Sequence, residues 1–441
     1  MTDSATTPTG NTLQREIAFV AKGEIPAAEP PARTTGLVHW AKENLFSSPL
    51  NIVLSLLSIA IVVWILPPII QWAFIDAVWS AGSLKECREI NADGACWAMI
   101  NERLSQYTFG FYPKAMVWRP ILAFILMFGA LAPVLFDRVP RQLLILTILF
   151  PFIAYWLIWG GSFWYVVGIV LGPIIGWFAF GAVMRVGGIL PATIIGILVT
   201  LIWWAVGIDL FDDIVSAILP ISLQPVASDR LGGFLLTFII GVTGIAASFP
   251  LGVALALGRQ SGLIFIKAVS VMFIEFIRGV PLITLLFVAS TVLNYFLPPG
   301  TTFDLVLRVL IMVTLFASAY MAEVVRGGLA ALPRGQYEAA HALGLDYWKS
   351  MRLIILPQAL KISIPGIVNT FIGLFKDTTL VIIIGLLDPL GLTGTIRATA
   401  EWNGIVVEPY VFIAVFFFIF CFGMSRYSAY LERKLETGHR S

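Results

Sequence analysis

Charge is scarce in this sequence. Its 441 residues carry 28 Lys and Arg against 26 Asp and Glu, so charged residues make up 12% and the formal net charge is +2. That is about half the charged share of an ordinary soluble domain. A nucleic-acid partner is excluded, because no basic block or base-stacking motif offers a polyanion a footing. There is no Gly-Lys dipeptide, hence no phosphate-cradling P-loop, and no His-Glu-x-x-His zinc motif. The three histidines, His39, His341 and His439, are scattered, and none has a second histidine at ligand spacing. An intramembrane metalloenzyme is therefore disfavoured, and no metal site is expected. Cysteine is also rare, with Cys87 and Cys96 close together and Cys421 far away.

What is abundant is apolar sequence, at 59%. A bilayer core requires roughly 20 apolar residues per helix. On that measure an all-α polytopic membrane protein of about ten transmembrane helices is predicted. The spans fall near 49–72, 118–136, 142–159, 163–183, 187–207, 232–257, 268–297, 304–327, 359–388 and 408–430. Residues 1–38, rich in Ser, Thr, Pro and Ala, lack a spanning run and read as a disordered cytoplasmic tail.

Orientation follows from the short loops. Arg138 and Arg141, Arg185, Arg259 and Lys267, Arg334, Lys349 and Arg352, and Arg433 and Lys434 all fall on one side, the expected cytoplasmic one. An even span count puts both termini there. The long segment 73–117 then lies outside, where a Cys87–Cys96 disulfide is permitted, two unpaired thiols being the alternative. If formed, it would order a segment with few other constraints by about 2 to 3 kcal/mol in the chain-entropy model.

Composition divides the membrane part. Residues 39–227 read as a five-helix scaffold with the external loop at 73–117 and a Gly172/Gly176 small-xxx-small pair. From 228 onward, charged and helix-breaking residues enter the apolar stretches: Pro250, Glu275, Arg278, Pro281, Glu323, Arg326, Lys376 and Asp377. Such groups are costly in lipid and tend to be kept for function.

The inward segment 328–358 is too polar to span. Pro333 and Gly335 mark a start, Gln336 to Leu343 reads as a short helix, and Gly344 ends it in the left-handed conformation. Asp346 caps a second helix, which Pro357 is expected to interrupt. With Glu338, Ala339, Ala340, three residues, Gly344, nine residues, then Ile354, Leu356 and Pro357, this loop resembles that of the permease subunits of bacterial ABC importers. The resemblance covers roughly 228–432, which would form the five-helix permease core. The stretches around Glu275–Leu282, Ala319–Gly328 and Lys376–Leu380 are similar to those of polar amino-acid permeases, and the long first half to general L-amino-acid permeases.

The resemblance implies an inner-membrane transport subunit, not an enzyme, that moves amino acids by alternating access. It implies that Gln336, Glu338, Ala339, Ala340 and Gly344 dock into a separate ATPase subunit dimer, which holds the ATP and Mg. No cofactor is expected on this chain. Further implied partners are a second permease chain, related to this one, a periplasmic amino-acid-binding protein and membrane lipid. An ion-coupled secondary transporter of small zwitterions is the alternative, which leaves the inward loop unexplained.

Two sets of charged residues remain as candidates for the substrate path or gate. Glu275 and Arg278, and Glu323 and Arg326, share helical faces at a spacing of three and form either a structural ion-pair cluster or part of a gate. Lys376, Asp377, Thr378 and Thr379 interrupt an apolar run. A helix break there, with Asp377 or Thr378 capping an outer half-helix, would offer donors for a carboxylate and an acceptor for an ammonium. The alternative is that the pair stabilises the break or a partner interface.

Overall fold

The computed structural model describes residues 36–292, 295 and 304–435. Most of the tail expected over 1–38, and the end of the span expected at 268–297, lie outside the described residues. Among those described, nine helices are long and apolar enough to cross a bilayer, and ten if one bent pair counts as a span. The chain is an all-α multi-pass membrane protein. A two-residue ladder, Gly161–Ser162 against Ser222–Leu223, is the one small sheet in the described part.

Two compact units are present, one ending at Asp76 and the other beginning at Ala77. In the first, Ser48 accepts a hydrogen bond from the Asn51 N–H and Pro49 opens the Pro49–Ile70 helix. That helix is apolar all round and has no buried residue, as a lipid-facing span requires.

The second unit is built on close helix approach. Gly168, Gly172 and Gly176 line the contact of Phe163–Gly187 with Ile189–Ile218. A Cβ on Gly176 would stand 2.7 Å from the Gly196 carbonyl oxygen. Without a hydrophobic drive between helices in lipid, small residues supply the packing surface. Gly233–Arg259 packs on Leu305–Ala330 in the same way, where a Cβ on Gly252 would sit 2.6 Å from the Met321 side chain. Pro250 lies in an unbroken helix, within the span expected at 232–257. Pro365 does the same in Leu356–Asp377, as helices in a membrane tolerate.

Two other prolines behave differently from expectation. The span predicted at 268–297 is instead two helices, Ile264–Gly279 and Leu282–Val292, bent by 101°. Pro281 lacks an N–H and drives Val280 into extended geometry, φ −112° and ψ 131°. Pro357, in contrast, does not interrupt its helix. Residues Tyr347–Ile384 form one helical run, longer at its start than the expected 359–388. A π-helical turn, Met351–Ile355, lets the Leu356 N–H reach the Met351 carbonyl and carries the helix across Pro357.

The segment 77–113 is a folded layer, not the sparsely constrained loop expected from sequence. Helices Leu84–Ile90 and Ala98–Phe109 are joined by a Cys87–Cys96 disulfide with a Cα–Cα distance of 5.9 Å. They share an apolar cluster with Phe234, Leu392, Ile396, Trp402, Ile405 and Ile413. The Cys96 N–H donates to buried Glu408 at 3.0 Å, and the Gly233 N–H to the Leu387 carbonyl at 2.8 Å. Packing is thus continuous across residue 228.

Asp388 caps the Pro389–Arg397 helix within this layer, its Oδ1 accepting from the Gly391 N–H at 2.9 Å. The residue is fully buried, and Oδ2 has no partner. Burial pushes its pKa up to about 6. Native Asp388 therefore holds its proton where an unfolded aspartate has lost it, so stability falls as pH rises from about 4 to about 6. We expect the melting temperature of wild type relative to Asp388→Asn to decline between pH 5 and pH 7, measured on purified protein. A difference that does not vary with pH would show that the carboxylate is compensated in its ionised form.

Candidate functional site

Four of the charged residues singled out from sequence, Glu275, Arg278, Glu323 and Arg326, meet at one end of the helices. Glu323 is their centre. Its Oε1 accepts from Arg326 Nε at 2.6 Å, and its Oε2 lies 3.3 Å from Arg259 Nη1 and 3.5 Å from Arg278 Nη1. Arg259 also pairs with Glu275 at 2.8 Å. The Arg278 guanidinium rests over the Tyr320 ring, 5.7 Å from its centroid.

Sequence spacing had joined Glu275 to Arg278 and Glu323 to Arg326. The structure keeps the second pair, reassigns Arg278 and Glu275 to partners on other helices, and adds Arg259. Arg259 was legible only as a loop cation, because its contacts are 16 and 64 residues away. Arg278 stands directly before the 101° bend, so the cluster anchors that bend to Leu305–Ala330.

Seven residues beyond Glu323, the Leu305–Ala330 helix ends and the loop expected at 328–358 begins. A second helix, Arg334–Ala342, starts after Pro333 and is closed by Gly344 at φ +69°. The Leu345 N–H returns to the Ala340 carbonyl at 3.2 Å and the Gly344 N–H to His341 at 2.9 Å. Ala340 is fully buried beneath the helix. Gln336 accepts from Gln358 at 3.0 Å, which ties the short helix to the Tyr347–Ile384 run. Glu338, Ala339 and Gly344 face outward, beside exposed Leu343, Tyr347 and Trp348. A short rigid rod with one anchored face and one free face is thereby presented at the basic end.

Lys376 and Asp377 do not form the expected break with a capped outer half-helix. The α-helix runs to Asp377 and tightens into a 3-10 segment, Thr378–Ile384, which ends at left-handed Gly385. Thr378 and Thr379 hydroxyls bond back to the carbonyls of Phe375 and Lys376 at 2.7 and 2.9 Å, stabilising this tighter coil and leaving no free helix start. Lys376 is exposed on the chain, Asp377 half-buried and Thr378 buried. Among the described residues neither Lys376 nor Asp377 makes a salt bridge, so the expected mutual pair is not formed.

Glu323 holds three cations with one carboxylate, and its side chain is only 23% exposed. Removing it would leave three arginines facing one another. We expect Glu323→Ala to lower stability by about 1 to 3 kcal/mol, less than the loss for a fully buried pair because water still reaches the cluster. Glu275→Ala should cost well under half as much. Thermal unfolding of the two variants measures the ratio, and equal losses would remove Glu323 from its central place.

Residues 248–437 match the family described as binding-protein-dependent transport system inner membrane component. The chain is 52% identical over 433 residues to the glutamate/glutamine/aspartate/asparagine transport system permease protein BztC of Rhodobacter capsulatus, covering 96% of this chain and 100% of that one. It is 40% identical over 402 residues to the inner membrane amino-acid ABC transporter permease protein YhdY of Escherichia coli K12, covering 90% and 93%. A solved amino acid ABC transporter described as containing histidines is 30% identical, with 45% of this chain and 91% of that chain covered and a TM-score of 0.41. With similarity extending over nearly its whole length, this chain belongs to the family of amino-acid ABC importer permease subunits.

Proposed function

We propose that this subunit carries acidic amino acids and their amides inward across the inner membrane, driven by ATP and Mg bound in a separate ATPase dimer. The observation that carries this reading is the Arg334–Ala342 helix, anchored by Gln336, Tyr337 and Ala340 and exposed along Glu338 and Ala339 at the basic end. Nine residues make a rod roughly 13 Å long. It suits a docking element that transmits a rigid-body movement. The basic end is then cytoplasmic, as the loop charges favour, and both termini lie there. The 77–113 layer faces outward, where a binding protein delivers substrate. A second, related permease chain completes the pathway. The family membership does not favour an ion-coupled mechanism.

The substrate class is supported by the BztC relative, whose printed substrates are two acidic amino acids and their two amides. Lys376 and Asp377 are placed on the path. An exposed lysine in the middle of an apolar run is costly unless water, a partner chain or substrate meets it. Its ammonium suits a carboxylate, and the Asp377 carboxylate suits an α-ammonium.

Replacing Gly344 with Val puts a β-branched residue at a positive φ. We expect membrane insertion to persist while substrate-stimulated ATP hydrolysis by the assembled complex falls at least about fivefold. Normal stimulation would sink the docking assignment. For the path, Lys376→Met with Asp377→Leu should abolish uptake while leaving assembly intact, and full uptake by that well-assembled double variant would exclude both residues from the substrate site.

A further inference from the structure

Two contacts fix the register of the Ala98–Phe109 helix against the chain from Pro389 to Trp402. Tyr107 and Thr393 hydroxyls are hydrogen-bonded at 3.0 Å, and Trp402 Nε1 donates to Glu102 at 3.2 Å. Numbering rises from 102 to 107 on one side while it falls from 402 to 393 on the other, so the two segments run antiparallel. Arg103 lies one turn before Tyr107, and Arg397 one turn after Thr393. Residues four apart share a helical face, so the faces that meet at Tyr107 and Thr393 bring the two arginines into the same band of this layer.

Both side chains are only partly satisfied. Each has a buried Nε without an acceptor. Arg103 pairs with Glu102 at 3.1 Å. Arg397 is half-buried and makes no ion pair or hydrogen bond with any described residue. The other charges of the layer are largely engaged. Lys85 pairs with Glu89 at 3.9 Å and Arg88 with Glu408 at 3.8 Å, while Glu401 is exposed on the chain surface. The Arg397 Nη groups are not among the buried atoms and have no partner among the described residues, so they stay open to an anion, and the planar fork suits a carboxylate.

We propose that Arg397, flanked by Arg103, is an anion seat for an acidic side chain of the binding protein. The seat belongs to the layer opposite the Arg334–Ala342 helix, and the matched family is itself binding-protein-dependent. Charged surfaces of this kind steer association and fix register. The inference rests on the outward assignment of this layer and on substrate delivery by a binding protein.

The test uses the complete transporter in proteoliposomes, with ATP hydrolysis titrated against the purified cognate amino-acid-binding protein loaded with L-glutamate. Arg397→Gln removes no ion pair or side-chain hydrogen bond to any described residue, so assembly should be unchanged. Its half-saturating binding-protein concentration should rise about tenfold at low salt with the maximal rate within about twofold, and the gap should narrow at high salt. Glu401→Gln should shift the half-saturation the other way, by removing a charge that repels an acidic partner. Arg397→Lys should recover part of the loss. An unshifted half-saturation in Arg397→Gln would overturn the seat. So would a reduced maximal rate at unchanged half-saturation, which would place Arg397 on the substrate's own route. A wild-type transporter that the binding protein does not stimulate would overturn the delivery reading as well, whereas a stimulated wild type with an unshifted variant overturns this inference alone.

Discussion

One carboxylate, that of Glu323, joins the ends of three helices. Arg259 closes Gly233–Arg259, Arg278 closes Ile264–Gly279, and Arg326 lies on the Leu305–Ala330 helix with Glu323 itself. The rest of the permease architecture depends on that junction, since the 101° bend follows Arg278 and the short inward helix follows Ala330. Its partial exposure matters as much as its geometry. A fully exposed set of pairs would contribute almost nothing, and a fully buried one would be costly to rearrange. At the edge of the apolar region, the cluster joins the helix ends while water still reaches it.

Proline shows why the same residue type reads differently along this chain. Pro250 and Pro365 lie inside continuous helices, Pro357 is carried across by a π turn, and Pro281 redirects the chain. All four lack an N–H, so the local chemistry is shared. The difference lies in what surrounds the vacated carbonyl. Pro281 follows Gly279, a residue with no side chain to hold a helical turn, and Arg278 is pulled sideways to Glu323.

The inward loop was legible because everything that defines it is local. Pro333, Gly344 and Asp346 act within a few residues of themselves, and the structure forms the corresponding short helix, left-handed stop and cap. The number and approximate limits of the membrane helices were legible for the same reason, because span length is a property of a single run. The outer layer was not legible. Tyr107 meets Thr393 across 286 residues and Cys96 meets Glu408 across 312, and no periodicity within 73–117 announces either partner. Arg259 was missed likewise. At Lys376 and Asp377 the local signal was present but misleading: the cost of charge in lipid pointed to a capped break, while Thr378 and Thr379 satisfied the backbone by tightening the coil.

The Tyr347–Ile384 run then connects the features that sequence revealed to those it did not. It starts three residues after Gly344, is tied to the short inward helix through Gln358 and Gln336, and passes Lys376 and Asp377. It ends at Gly385, three residues before Asp388. At 38 residues it is longer than the roughly 20 that a bilayer core requires. Its surplus lies at the end nearest the Arg334–Ala342 helix, residues 347–358. A helix satisfies its own backbone hydrogen bonds throughout, so it tilts more readily than it stretches. One continuous element therefore links the short helix to Lys376 and Asp377 and to the chain that enters the 77–113 layer. The π turn at Met351–Ile355 and the 3-10 segment at Thr378–Ile384 are its irregular stretches, and the regular helix between them is the length that spans the apolar region.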